Sequence, residues 1–283
     1  MIKNHWQKIQ LTAALVTTIL SNIAYISPIK AEPITSSSSS INFTPPPPPP
    51  DRSAAGNRGQ AASRGCGNGT ESVMALVPDY EQTINLEGGE KIPVRKIWGL
   101  TTDDYPTFWF FVPYDKSSIT EMEFVIKDTS QKPTKTIYRT LVNKPEMPGI
   151  ISVSTNKATE PLKISKTKHQ KLYHWFLKVR VKCNPQQAPQ LQAVDGWIER
   201  VNPSSTLKER LEQATPLQQA LLFAENGIWH NSLENLAQLR LTKPKDAALL
   251  ADWTSLLKSE ELDHLANHPL LNCCQPVTPL SQP

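Results

Sequence analysis

With 283 residues, 39% of them hydrophobic and 20% charged, the chain is long enough for one or two domains with cores of their own. Its formal charge of +4 falls to +1 once Lys3, Lys8 and Lys30 are set aside with the acid-free first 31 residues. A nearly neutral body excludes nucleic acid as the main partner, because phosphate binding needs a net basic footprint.

Residues 1–31 have a Lys-flanked start, an apolar run from Ile9 to Ile26 and a small-residue site at Ile29-Lys30-Ala31. This is the layout of a secretory signal, and it places the protein outside the cytoplasm, secreted or periplasmic. An uncleaved anchor is the competing reading and the one route to a membrane, although Thr17, Thr18, Ser21 and Asn22 dilute the run.

Residues 32–70 are a Ser/Pro/Gly-rich disordered tether with a Ser run at 36–40 and six prolines at 45–50. Consecutive prolines favour a polyproline II rod of roughly 19 Å, so the tether reads as a spacer, with docking into an aromatic groove as the alternative. Arg52, Arg58 and Arg64 suit a solvated linker as well as an anionic polymer, and Asn68-Gly-Thr70 matters only in a host that glycosylates.

From 71 to 202 the period is two. Tyr173, Trp175, Leu177, Val179 and Val181 share one face of a strand over Leu172–Cys183, and His174, Lys178, Arg180 and Lys182 share the other, interrupted by Phe176. Further strands are expected around Met122–Ile126, Ile137–Val142 and Ile150–Val153, and a Gly88-Gly89 hairpin joins Ile84–Glu87 to Lys91–Trp98. Thr107–Val112, TFWFFV, is apolar on both faces and belongs at the centre. About eight short strands with Pro, Gly and Asn punctuation predict an antiparallel immunoglobulin- or fibronectin-like sandwich, without the cysteine-tryptophan-cysteine spacing of a true immunoglobulin domain.

Residues 203–272 turn helical, and 273–283 read as a C-terminal tail. Thr206 with Glu209 suggests a capping box for a helix ending near Ala214. Leu217, Ala220, Leu221 and Ala224, then Leu233, Leu236, Ala237 and Leu241, give two apolar stripes joined at Asn226-Gly227, an αα-hairpin ended by Lys243-Pro244. Helices over Lys245–Leu257 and Glu260–Asn267 follow. So small a helical part needs a surface to pack on, and Gly196–Val201 is the expected seam.

Four cysteines in an exported chain allow three pairings. Cys66, before the first strand, and Cys183, at the end of a long one, lie at the same rim and are the expected pair. Adjacent Cys273 and Cys274 bridge only with strain, which leaves free thiols or a partner chain open.

The order Ala220, Phe223, Gly227, Trp229, Ser232, Leu236, Leu239, Pro244 resembles one degenerate tetratricopeptide repeat. Over most of the chain, a signal peptide, a Phe43-Thr44-Pro45-Pro46 tether ending in Arg64-Gly65-Cys66, then Tyr105-Pro106-Thr107-Phe108-Trp109, Pro148-Gly149-Ile150, Tyr173–Cys183, Gly196-Trp197-Ile198-Glu199-Arg200 and Gly227-Ile228-Trp229 together resemble the exported cyanobacterial domain of unknown function numbered 928. That resemblance implies an exported protein and carries no activity. The glycine run usual in its tether is replaced here by Ala-Ala-Gly-Asn-Arg-Gly.

No nucleophile elbow, phosphate loop, zinc-protease or dinucleotide motif is present, so no enzyme and no cofactor are expected. His264, His268, Cys273 and Cys274 have zinc-like spacing, but His268 before Pro269 fits a helix end better, and no metal is assigned. Asp103 and Asp104 read as a solvated turn with too few oxygens for calcium. Lys157–Lys182 carries eight Lys or Arg against Glu160, a local charge of +7. The expectation is an exported non-catalytic adaptor whose binding surface draws on Lys178, Arg180, Lys182 and Trp229 and whose partner is an envelope protein. The alternative is a module for anionic envelope polysaccharide that stacks sugar on Trp98, Tyr105, Trp109 or Trp175.

Overall fold

The computed structural model describes residues 40–47, 55–59, 71–85, 89–130, 132–158, 160–165, 171–184 and 186–279. The expected signal, the sequon at Asn68 and Cys66 lie outside the described residues.

Ten strands are numbered in chain order: β1 (Met74–Ala75), β2 (Asp79–Asn85), β3 (Lys91–Thr101), β4 (Thr107–Val112), β5 (Ile119–Asp128), β6 (Lys135–Val142), β7 (Gly149–Ser154), β8 (Leu172–Val181), β9 (Gln190–Arg200) and β10 (Pro276–Pro279). Among the described residues they form a three-stranded sheet, β1-β4-β7, and a seven-stranded sheet, β10-β6-β5-β8-β9-β3-β2.

The strands expected around Met122–Ile126, Ile137–Val142, Ile150–Val153 and Leu172–Cys183 appear, and β2 pairs antiparallel with β3 with Gly89 at φ 84°, although β2 begins at Asp79, earlier than the expected Ile84, and Leu86, Glu87 and Gly88 lie outside the described residues. The expected all-antiparallel order is corrected at one place: β3 and β9 run parallel, Trp98 to Thr101 beside Trp197 to Arg200. The reason is that β9 is itself a strand, over Gln190–Arg200, and only its last residues were read, as a seam. It lies antiparallel to β8 from Leu172↔Glu199 to Val181↔Gln190 and brings β3 in on its far side.

TFWFFV sits between two cores, as its two-faced apolar pattern predicts. Phe108, Phe110 and Val112 pack with Phe124, Tyr173, Trp175 and Leu177 of the large sheet. Trp109 and Phe111 turn the other way, with Ile150, onto Trp229, Leu233, Leu236, Trp253 and Leu256. The small sheet is therefore a middle layer with the large sheet on one face and helices on the other. Each buried aromatic contributes about 1.5–3 kcal/mol.

The helices are α1 (Ser205–Gln213), α2 (Pro216–Glu225), α3 (Trp229–Thr242) and α4 (Ala247–Lys258), followed by one 3-10 turn, Asp263–Leu265. Two expectations are corrected here. Helix α1 is capped by Ser204, whose Oγ accepts from the Leu207 N–H at 3.1 Å, which puts Thr206 inside the first turn. The helix expected over Glu260–Asn267 shrinks to the 3-10 turn because Glu261 takes φ 57° and breaks the helical path. The C-terminal tail is also more than a tail, since β10 pairs with β6 at the sheet edge.

Candidate functional site

The strongest candidate is built on the expected hairpin turn. Thr215 and Gln218 form a reciprocal capping box at the start of α2, and Pro216 takes the first helical position, where its missing N–H is harmless. Gly227 at φ 72° lets the chain reverse, and the Ile228 N–H then donates to the Phe223 carbonyl at 2.9 Å. Small residues bring the two helices together: Ser232 Oγ donates to the Ala220 carbonyl at 2.9 Å.

Onto this hairpin lies a strap from the expected tether, Ser40–Pro46. Ile41 and Phe43 are buried while Asn42 and Thr44 face out, the alternation of an extended chain. The Phe43 ring meets Trp229 edge-on, with centroids 4.9 Å apart, and the Thr44 N–H donates to the Ala224 carbonyl at 3.0 Å. Pro46 sits so close to Gly227 that a Cβ there would stand 3.0 Å from its Cδ.

The gains and costs of this docking nearly cancel. Burying Ile41 and Phe43 contributes about 3–6 kcal/mol, and the ring contact and hydrogen bond about 1 kcal/mol each. Ordering Ile41 to Thr44 costs roughly 4–8 kcal/mol, while the prolines that follow are already restricted. The ranges overlap, so the docking contributes at most about 4 kcal/mol net.

Trp229, expected on a binding surface, is corrected to a core residue. It is fully buried, and its Nε1 donates to the Leu76 carbonyl at 2.8 Å. Its amphipathic helix puts it under the strap, against the Phe43 ring.

A second piece of the expected spacer is part of the fold. Asn57 and Asp195 exchange backbone hydrogen bonds at 3.0 and 2.9 Å, and the Ala75 N–H donates to the Arg58 carbonyl. Arg58, expected in a solvated linker, is 3% exposed. Its Nη1 donates to the Glu260 carbonyl at 2.9 Å, and its Nε lies 3.8 Å from Asp79, which Arg95 grips at 2.6 Å. Burial pushes the Glu260 carboxyl up to about 7, a shift opposed by the hydrogen bond from the Asp79 N–H and by Arg58.

The Asp103-Asp104 turn is not simply solvated. Asn231 binds it, accepting from Thr101 Oγ1 and the Thr102 N–H and donating to Asp103 at 2.9 Å, while Arg200 pairs with Asp104. Beside it, Trp109 Nε1 donates to Glu234 at 2.7 Å, and partial burial holds the Glu234 carboxyl above its usual range. His230 lies beneath, buried against Phe108 and Gly99, and burial holds its imidazole down at about 4. Of the four aromatics considered for sugar stacking, Trp98, Trp109 and Trp175 are corrected to core positions, because their strands alternate them inward; Tyr105 is 39% exposed.

The basic run meets acids across the sheet. Register places Arg180 opposite Glu121 and Lys178 opposite Glu123, at 3.3 and 3.1 Å, and Lys171 reaches Asp128 at 2.8 Å. Lys182 stands exposed beyond the strand end. Where β5, β6 and β8 end together, Asp128, Lys135, Glu160, Lys163, Lys171 and Tyr173 line a polar cleft of about 120 Å³. Lys135 pairs there with Glu160 at 2.5 Å, and Tyr173 Oη accepts from the Lys163 N–H at 2.8 Å.

Cys183 is disulfide-bonded, and its expected partner Cys66 lies outside the described residues. Cys273 and Cys274 bridge each other, so of the possibilities left open the adjacent bridge is the one formed: Cys274 takes φ 70°, a turn that lets adjacent cysteines close a ring. They are therefore not thiolates for a metal. His268 packs on the Phe111 ring at 4.3 Å, and His264 faces solvent.

Sequence reasoning missed the strap, Arg58 as a core residue and Asn231. For the strap one signal was available: Ile41 and Phe43 alternate with polar residues immediately before the prolines. Residues 54–270 match the family described as Domain of Unknown Function (DUF928), so the match starts after the strap and takes in the whole hairpin it covers. Among curated proteins, none matches the chain.

Proposed function

The chain belongs to the Domain of Unknown Function family DUF928, and we propose that it is an exported, non-catalytic binding protein of the cell envelope that holds a partner protein through its helical layer. One observation carries this reading: the α2–α3 hairpin already holds an extended segment by a buried aromatic and a backbone hydrogen bond. Helical grooves recognise peptides by the same means, with apolar anchors for affinity and a few polar contacts for register.

Deleting residues 204–283 is a poor test, since α3 and α4 share a core with Trp109 and Phe111 and their loss would unfold the small sheet. Crosslinking on the intact chain in an envelope preparation is better. The reading expects partner crosslinks at the exposed helical lysines Lys208, Lys243, Lys245 and Lys258. Crosslinks confined to the sheet lysines, such as Lys116 and Lys163, would contradict it.

The cleft at the ends of β5, β6 and β8 favours a second reading, a site for an acidic sugar of an envelope polysaccharide. Three lysines face two carboxylates there, and Lys163 is the cation left over once Lys135 and Lys171 pair with Glu160 and Asp128. Retention on an anionic polysaccharide at low salt, lost in Lys163→Ala, is the expected result. Retention unchanged in that variant would remove the cleft from consideration.

A further inference from the structure

Resting on the adaptor reading, we propose that the groove between the α2–α3 turn and Trp229 is an exchangeable peptide site closed in cis by Ile41–Pro46. Its partner is an extended protein segment with the same pattern: an aliphatic residue, any residue, an aromatic residue, a residue whose N–H is free to donate, any residue, and proline.

Each part of the pattern has a counterpart in the groove. Ile41 enters the apolar cluster around Leu233 and Trp253, and Phe43 plugs against the Trp229 ring. The Thr44 N–H reaches the Ala224 carbonyl, which also accepts from the Gly227 N–H at 3.1 Å and so takes the strap as a second donor. Pro46 fills the space above Gly227 that any side chain there would take. Asn42 and Thr44 point outward, so their identities are free.

The groove residues lie within the family match, which begins at residue 54, and the strap lies just before it. Its docking balances near zero, as argued above for Ile41 and Phe43. Only residues 48–54 separate the strap from the next docked segment at Ala55, so it is re-presented to the groove at an effective concentration of about millimolar. A partner segment with the same contacts therefore competes poorly with the intact strap and well with a weakened one.

The test titrates a fluorescent peptide with the sequence of residues 40–47 onto the full chain, wild type and Phe43→Ala. The expected result is saturable binding to the Phe43→Ala chain, at least about tenfold weaker binding to wild type, and none for a peptide carrying the same Phe-to-Ala change. A folded Phe43→Ala chain that does not bind, or equal binding to both chains, overturns the proposal. If Phe43→Ala does not fold, Ile41→Ala replaces it, and failure of both variants to fold also overturns the proposal, because a strap that essential cannot exchange. These outcomes are independent of the crosslinking result, so the groove can fail while the adaptor reading stands.

Discussion

Arg58 donates from Nη1 to the Glu260 carbonyl at 2.9 Å, joining residues 202 positions apart. The contact fixes a stretch expected to be spacer to the turn just after α4, beside buried Asp79, which half-exposed Arg95 grips from the solvent side. Breaking one partner of a buried charge cluster leaves the others uncompensated.

Arg58→Met is therefore expected to lower unfolding stability by about 3–5 kcal/mol, the range for a broken buried pair. A denaturant midpoint measured by Trp fluorescence checks it. A loss under about 0.5 kcal/mol would mean that Arg58 behaves like an ordinary surface residue.

Acid should stabilise this protein down to about pH 5. Burial raises Glu199 and Glu260 to about 7 from 4.5. A raised carboxyl binds its proton more tightly when folded, so its stabilisation is complete below about 4.5 and is lost as pH climbs through about 7. Each is worth on the order of 3 kcal/mol. His230 acts in the opposite sense: held at about 4 against 6.5, it stabilises above 6.5 and loses that contribution as pH falls through 4. Two carboxyls against one imidazole leave the wild type more stable at pH 5 than at pH 8. Glu199→Gln combined with Glu260→Gln should remove the gain, and a wild type more stable at pH 8 would refute the assignment.

Lys178→Ala and Arg180→Ala should each cost less than about 1 kcal/mol, because both side chains are 40% exposed or more and their pairs with Glu123 and Glu121 are screened. Thermal melts of the single variants check this. A larger loss at Lys178 would mean that the buried Glu123 carboxylate, which Arg139 also holds at 2.5 Å, relies on both cations.

Gly227→Ala should lower stability by about 1–2 kcal/mol through its left-handed backbone alone. It should also loosen the strap, since the new methyl meets Pro46. Proteolysis between residues 40 and 47, faster in the variant under native conditions, is the expected readout; unchanged cleavage would show that Pro46 does not need the gap.

Local pattern was a good guide wherever neighbours in sequence decide the outcome. TFWFFV read as doubly buried because every residue after Thr107 is apolar, and the α2–α3 turn read correctly because glycine takes φ 72° at position 227 without the strain a side chain would add. Contacts between distant segments left no such trace. Gln190–Arg200 mixes polar residues with Gly196, and it becomes a strand because β8 and β3 offer it ladders on both sides. Arg58 looks like any linker arginine until Asp79 and Glu260 are brought around it. The candidate site was half legible: the hairpin was visible, but its occupant was hidden in a proline-rich stretch whose composition suggested a spacer.

Native-state hydrogen exchange of the full-length chain, read at the Thr44 amide against central amides of β8 such as Leu177, tests the weakly held strap most directly. The account predicts that Thr44 exchanges at least about 100-fold faster, through local opening that leaves the sheets intact. Equal protection at both positions would mean that the strap leaves only when the whole protein unfolds, and the groove would then be part of the core rather than a place for a partner.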